Sequence, residues 1–496
     1  MQPLPGFMLR KLVLSLYEGV MSPRSWTLVL AIAFPVQALA QQPPASQPSM
    51  TQKLGEQITP GKGLTAGEAA NRARTTSHEI RAGREDVAAA QAVAEQARAN
   101  WWPKLVGTAR YTRLSDIGTL ELGAGNLVGT MAPAGPIPPG TPLFSVPLTL
   151  PVLLNSYTLQ AGLTIPLSDY FLRVPQGVEA ADRGADAAGA NLEATGNNVD
   201  VNARTAYYTW VRARLQVAVA VAAVDTARGH LDDVQKAFNV GSASRADVLR
   251  VQSSLAQAQL NLVRAQNAAE LSEVRLRTIM HDTTTEPLAI GEDVLADMPA
   301  EDEDPNALTQ RAFANRPELR ALVSNIAATR EREKVQRAGY LPRLDLVGNA
   351  TYADPNQRIF PSTDEFRGTW DVTAQLTWTP TDIPLVRGQV HETEARAAQL
   401  EAQRDLTADN VRVEVWSDWQ AVKEARQSIE TTTTALGTAE EAYRVRRALF
   451  QNGRATSLEL TDAELDLTRA RLDAINARID LRVAKANLAK AVAGGK

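Results

Sequence analysis

Four stretches of the chain alternate apolar and polar residues with a period of two. Residues 157–167 put Tyr157, Leu159, Ala161, Leu163, Ile165 and Leu167 on one face and Thr158, Gln160, Gly162 and Thr164 on the other. Residues 370–378 set Trp370, Val372, Ala374, Leu376 and Trp378 against Asp371, Thr373, Gln375 and Thr377. Residues 344–352 repeat the scheme, and 105–113 are a noisier fourth copy. Such alternation predicts strands with one apolar face. Each run is about nine to eleven residues long, the length that crosses a bilayer as a tilted barrel strand. Trp101, Trp102, Tyr157, Tyr340, Tyr352, Trp370 and Trp378 stand at the ends, as in a membrane-interface girdle. The pattern alone favours an amphipathic sheet packed on the helices of a soluble domain.

The rest of the chain is largely patterned for helix. From about Gln176 to Phe238, and again from about Pro384 to Phe450, helix formers continue with little interruption, which predicts rods of roughly 95 to 100 Å. No ordinary globular domain holds helices of that length. Thr65-Ala66-Gly67-Glu68 matches a capping box and opens a helix running to about Asn100, stopped by Pro103. Asp304-Pro305 opens a second, running to Gly339 and stopped by Pro342. Return helices are expected near 246–280 and 457–491. One return helix and one short helix, end to end, match one long rod.

These elements occur twice in the same order. Trp101-Trp102-Pro103-Lys104-Leu105 recurs as Tyr340-Leu341-Pro342-Arg343-Leu344, 239 residues on. Leu163-Thr164 followed by Asp169 recurs 213 residues on as Leu376-Thr377 followed by Asp382. Phe238-x-x-Gly241 with Asp247 recurs 212 residues on as Phe450-x-x-Gly453 with Glu459. The change of offset between the first two landmarks places an insertion of 26 residues in the first half, within a Pro/Gly-rich stretch from Gly118 to Pro151 that reads as a long exposed loop. The expected organisation is a signal peptide (1–40), a disordered lead-in (41–63), a first repeat (64–285), an equatorial linker (286–304) and a second repeat (305–496). The leader is read from the apolar run Trp26 to Val36 after Arg24, followed by Gln37-Ala38-Leu39-Ala40 with small residues at the −3 and −1 positions.

Composition narrows the chemistry. The 496 residues carry a formal charge of −4, which argues against a strongly basic nucleic-acid surface, and there is no run of about twenty apolar residues for a helical span in the mature chain. With no cysteine, a disulfide scaffold, Cys-ligated zinc, a thiol nucleophile and a lipoprotein cysteine are excluded. His78, His230, His281 and His391 are scattered and are expected to be solvated helix residues rather than metal ligands. Ser-His-Asp, HExxH, P-loop and GxGxxG constellations are absent, so neither enzyme chemistry nor a cofactor is expected. Four strands cannot close a membrane barrel, which needs about eight, so strands placed in lipid would force oligomerisation.

Taken together, the twofold repeat, the junctions at Pro103 and Pro342, the segment Asn315-Arg316-Pro317-Glu318-Leu319 and the turns at Gly241 and Gly453 resemble the TolC-like outer-membrane efflux protein family. The resemblance covers about Thr65 to Ala493. It implies a mainly α fold with a small β part: long antiparallel helical hairpins forming a tunnel, with four strands per protomer contributing to a twelve-stranded β-barrel shared by a homotrimer. It also implies an outer-membrane duct with a periplasmic extension, for efflux or type I secretion, that docks through a periplasmic adaptor to an inner-membrane RND or ABC-type pump. The competing expectation is a periplasmic coiled-coil spacer with a soluble sheet.

By the same resemblance the turns at Gly241 and Gly453 mark the closed periplasmic end and the adaptor contact. Asp247 matches the first-tip acidic gate residue. Phe450 stands where some members have a tyrosine, and Ala455 where they have an arginine, with Arg454 beside it. Glu459 and Asp462 match acidic positions that narrow the tunnel. Tripled, they would form a cation-favouring constriction; they also fit ordinary solvated carboxylates. Thr431 to Thr434 fit a lumenal or a solvent-facing stripe, and Arg316 and Glu318 are expected at the helix surface and in packing.

Overall fold

A computed structural model describes residue 58 and residues 63–492, except 117, 119, 123–127, 130–134, 143, 146–147, 151–152, 300–302 and 361. Met1–Ser49 and Met50–Lys496 separate as two units, and every helix and strand described belongs to the second. The signal-peptide segment lies outside the described residues, as does the lead-in apart from Ile58 and Gly63.

The described elements are α1 (Ala66–Thr76), α2 (His78–Ala99), β1 (Lys104–Arg113), β2 (Asn155–Ile165), α3 (Val174–Asn239), α4 (Arg245–Met280), α5 (Pro305–Asn315), α6 (Pro317–Arg337), β3 (Arg343–Asp354), β4 (Arg367–Thr377), α7 (Ile383–Gln451) and α8 (Ser457–Ala491). α3 and α7 contain 66 and 69 residues, rods of about 100 Å. They form the continuous columns. Toward the tips α4 and α8 pack beside them, toward the sheet α2 and α6 do, and α3 touches α8 below and α6 above.

The short helices are less continuous than their sequence suggests. Ser77 leaves helical geometry, and its hydroxyl accepts hydrogen bonds from the N–H groups of Glu79 and Ile80, so it ends α1 and caps α2. In the second half Arg316 is extended ahead of Pro317, as a residue before proline favours. Both halves therefore break their short helix about a dozen residues after it begins. The capping box at Thr65 and Glu68 and the Asp304 cap form as their sequences predict.

The four strands form one antiparallel sheet in the order β1-β2-β3-β4. The insertion is not simply loop: Leu120–Leu122 pairs with Leu148–Leu150 and Val128–Gly129 with Phe144–Ser145, extending the β1–β2 hairpin.

The largest core lies at the equator, where Trp210, Val211, Leu215 and Val219 of α3 pack with Leu276 and Met280 of α4, Ile290 and Val294 of the linker, and Ile475 and Ile479 of α8. The lead-in enters this core too. Ile58 is buried and bridges Ile290 of the linker. Gly63 and Gly291 meet so closely that a Cβ on Gly291 would lie 2.1 Å from the Gly63 carbonyl oxygen. Arg482, also buried, donates to the Glu292 carboxylate at 2.7 Å and to the backbone carbonyls of Asp293 (2.7 Å), Val294 (3.2 Å) and Ala296 (3.2 Å). The same carboxylate accepts from Tyr208, whose phenol is pushed up to about 12 by burial and then by Glu292.

Arg316 corrects the helix-surface expectation. It is buried, bonds the Ala491 carbonyl at 2.8 Å and pairs with Glu414 and Glu318, tying the α5–α6 break to the end of α8. Asp418, one turn beyond Glu414, is pushed up to about 6, by burial first and then by Glu414.

Candidate functional site

The sheet carries its apolar side outward. Along β2 the exposed positions include Tyr157, Leu159 and Leu163, while Ser156, Thr158, Gln160 and Gly162 are half-buried. Leu105, Leu344, Trp370, Val372, Leu376 and Trp378 are exposed as well, Trp370 at 75%. A sheet packed on helices would hide this face and wet the other. On β2, β3 and the start of β4 the polar side is half-buried and has its own hydrogen bonds, Gln160 to Asn349 at 3.4 Å, Asn349 to Asp371 at 3.1 Å and Arg358 to Asp371 at 3.0 Å, while β1 and the rest of β4 are exposed on both sides. Rings gather at both ends of the strands. Tyr111, Tyr157, Tyr352 and Phe366 cluster with centroids 5.0–6.1 Å apart at the hairpin end, and Trp101 stacks on Tyr170 at 5.6 Å where the strands meet the helices, next to Pro103. Pro342 occupies the matching junction, between a 3₁₀ turn at Ala338–Tyr340 and β3.

At the opposite end of the helices two turns are built alike. Gly241 has φ +78° and Gly453 φ +68°, left-handed values that favour glycine. In the first turn the N–H of Gly241 donates to Phe238 O (3.0 Å) and that of Ser242 to Ala237 O (2.9 Å). In the second, Gly453 donates to Phe450 O (2.9 Å) and Arg454 to Leu449 O (2.8 Å). Ser244 then caps α4 and Thr456 caps α8, each in a reciprocal box with the residue three further on.

Those third residues are Asp247 and Glu459. Asp247 accepts from the Ser244 hydroxyl at 2.6 Å and the Ser244 N–H at 3.0 Å, and lies 3.5 Å from Arg250; the hydroxyl first, then the N–H, hold its carboxyl below the usual range. Glu459 accepts from the Thr456 N–H at 3.1 Å and pairs with Arg446 at 3.3 Å. Asp462 is exposed one turn along α8, and Arg454 is exposed on the turn itself. Phe450 joins Val234, Val248 and Val251 in the apolar cluster of the tips and meets the His230 ring edge-on at 5.4 Å. Its contacts are those of a hydrocarbon where a tyrosine would offer a hydroxyl. Thr431, Thr432 and Thr434 turn their hydroxyls back to the carbonyls of Gln427, Ser428 and Glu430.

The sequence reading missed His230. It is buried rather than solvated, with Nδ1 3.2 Å from Glu464 Oε2 and Nε2 3.3 Å from Ser457 Oγ. The signal was present: Ala227, His230 and Val234 continue the buried stripe of Leu215, Val219 and Ala222 on α3. His78 and His281, far apart in sequence, have ring centroids 4.2 Å apart. No group of three or more His, Asp or Glu side chains suited to a metal occurs among the described residues. Nor is any helix among them long and apolar enough to cross a membrane.

Comparison with known proteins gives the same picture from another side. The family model described as outer membrane efflux protein matches residues 149–280 and 308–494. Protein CyaE of Bordetella pertussis is 26% identical over 200 residues, 40% of this chain and 40% of that protein. The chain thus matches well under half the length of that relative. Among solved structures, the outer-membrane channel OprN superposes with a TM-score of 0.70 at 18% identity over 87% of this chain and 90% of its own. The Campylobacter jejuni CmeC outer membrane channel gives 0.68 at 14% identity over 88% and 89%. The Vibrio cholerae outer membrane protein VceC gives 0.68 at 17% over 86% and 95%. At such identities these likenesses establish the fold: a mostly helical tunnel protein with a small antiparallel sheet.

Proposed function

The chain belongs to the outer membrane efflux protein family, and from that premise we propose that it is a passive exit duct of an efflux or type I secretion system. Its place is the outer membrane. The observation that carries the proposal is the outward apolar face of the sheet, bounded at both ends by aromatic clusters. It disfavours the spacer alternative, in which that face would be covered.

A single copy presents β1 and β4 as open edges. Unpaired backbone groups are costly in lipid, so the edges call for other copies. A homotrimer supplies twelve strands, and the helical walls, about 100 Å long, extend into the periplasm. Driving energy comes from an inner-membrane RND or ABC-type pump coupled through a periplasmic adaptor that contacts the turns at Gly241 and Gly453. Asp247, Phe450 and Arg454 belong to the closable tip, and Glu459 and Asp462 to a lumenal acidic ring above it. In this reading the chain passes substrate without chemistry on it.

Detergent extraction followed by mass measurement and planar-bilayer recording tests the reading. Three chains per particle and discrete current steps are expected. A monomer released without detergent would refute it.

A further inference from the structure

Near the tips α3 belongs to one hairpin (α3–α4) and α8 to the other (α7–α8). Few polar contacts join the two there. Asp233 on α3 accepts from Gln451 at 3.1 Å and lies 3.8 Å from Arg447. The other contact is buried. Ser457 and Glu464, two turns apart on one face of α8, bracket the His230 ring, and its side chain is 1% exposed. We propose that His230, Glu464 and Ser457 form a proton-controlled latch between the two hairpins, tight when the imidazole is charged and loose when it is neutral.

The chemistry follows from which atoms can donate. A carboxylate only accepts, so Nδ1 carries the hydrogen of the 3.2 Å contact to Glu464. In the neutral ring Nε2 accepts from the Ser457 hydroxyl; in the imidazolium it donates to the Ser457 oxygen. Both forms keep two hydrogen bonds. They differ in charge: Glu464 Oε1 is buried and accepts no hydrogen bond from the protein, so the carboxylate depends on the imidazolium for compensation.

Among the surrounding ionisable groups, the buried Nε of Arg471, two turns from Glu464 on α8, has no hydrogen-bond partner among the described residues. On α3, Asp233 faces Arg447 of α7; on α8, Arg471 reaches Glu440 at 3.9 Å. Tyr443 of α7 is held protonated by burial, with Glu464 among the charges acting on it. From α4 the neighbours in this layer are the apolar Val248 and Val251. Separating the hairpins returns His230 and Glu464 to water, where neither needs the other for compensation.

The sign is then fixed. In the closed tip a charged ring compensates the buried carboxylate, whereas a neutral ring leaves that charge without a cation. Closure is therefore favoured at low pH, where the ring carries its proton, and weakens as pH rises and the proton leaves.

The proposal rests on the reading of these turns as the closable end of a duct, and the test separates the two. The full-length protein is recorded in planar bilayers from pH 5.5 to 8.5 beside His230→Gln, whose amide keeps hydrogen bonds but cannot be charged. In parallel, Lys236→Cys and Arg444→Cys, on exposed faces of α3 and α7 in a chain with no other cysteine, carry spin labels in detergent. Open probability rising with pH in the parent and flat in His230→Gln is expected, with the label distance lengthening over the same interval only in the parent. A flat parent, or an equal step in both proteins, overturns the latch. With no pore at all the duct reading falls, and the label distances still decide the latch: a distance independent of pH overturns it. Should His230→Gln fail to fold, Ser457→Ala replaces it, with a displaced midpoint expected and an unmoved one contradicting the proposal.

Discussion

At the equator α3 and α8 meet through Trp210, Leu215, Ile475 and Ile479, and Arg482 drives a buried guanidinium into one carboxylate and three linker carbonyls. Toward the tips the same two helices meet through one imidazole, one hydroxyl and one carboxylate, beside a small cluster of Phe450 and three valines. The aromatic core and the many-acceptor clamp resist small displacements, because sliding would strand several buried groups together. The tip contact strands only the His230, Ser457 and Glu464 side chains. The contrast suggests a wall fixed at its middle and free to part at its end, which suits a duct opened from the periplasmic side.

The comparison breaks most sharply if the clamp is removed. Arg482→Ala leaves Glu292 in a largely buried setting without its cation, and a loss of about 3–5 kcal/mol is expected from the denaturation midpoint of the detergent-solubilised protein. A shift no larger than that of an exposed arginine such as Arg396 would show that the equator is not locked by charge. Asp247→Ala and Glu459→Ala sharpen the tip side. Each removes one half of a capping box and should cost about 1 kcal/mol, similarly for both. Asp247→Ala should in addition raise single-channel conductance, and conductance unchanged from the parent would leave Asp247 a cap alone.

Asp418→Asn tests the equator in the opposite direction. A carboxyl whose folded pKa is near 6, above its unfolded value, costs stability at neutral pH, and the cost fades as pH falls toward the unfolded value near 4. The amide should therefore stabilise by about 1 kcal/mol at pH 7.5, discounted for partial exposure, with the gain vanishing at pH 4. A gain independent of pH would reject the linkage. The smallest change expected is in Glu459→Ala with Asp462→Ala, which should abolish block by multivalent cations added from the periplasmic side without altering stability beyond the loss of the cap. Persistent block would place the cation site elsewhere.

Much of the fold was legible because the physics behind it is periodic. Alternation of two located the strands, and prolines at 103 and 342 marked the junctions to them. Uninterrupted helix formers gave the rods. The tips were legible too, through Gly241 and Gly453, and the capping boxes at Ser244 and Thr456 stood in the sequence unread. What escaped depends on contacts between distant segments. A serine such as Ser77 is an ordinary helix residue until its hydroxyl finds two free N–H groups. Ile290 and Ile58 form the equator only because the chain returns there. His230 and Glu464 lie 234 residues apart, so their pairing had no local trace beyond the apolar stripe in which the histidine stands. The outward orientation of the sheet was likewise undecided by alternation, which gives two faces but not which one meets water.

The central claim is that this sheet is completed by neighbouring copies, β1 of one against β4 of the next. Because the chain has no cysteine of its own, pairs of introduced cysteines can scan β1 against β4 across copies in the native membrane. The account predicts disulfides at a single register that convert the protein to a covalent three-chain band. Cross-links that never exceed one chain at any register would contradict it.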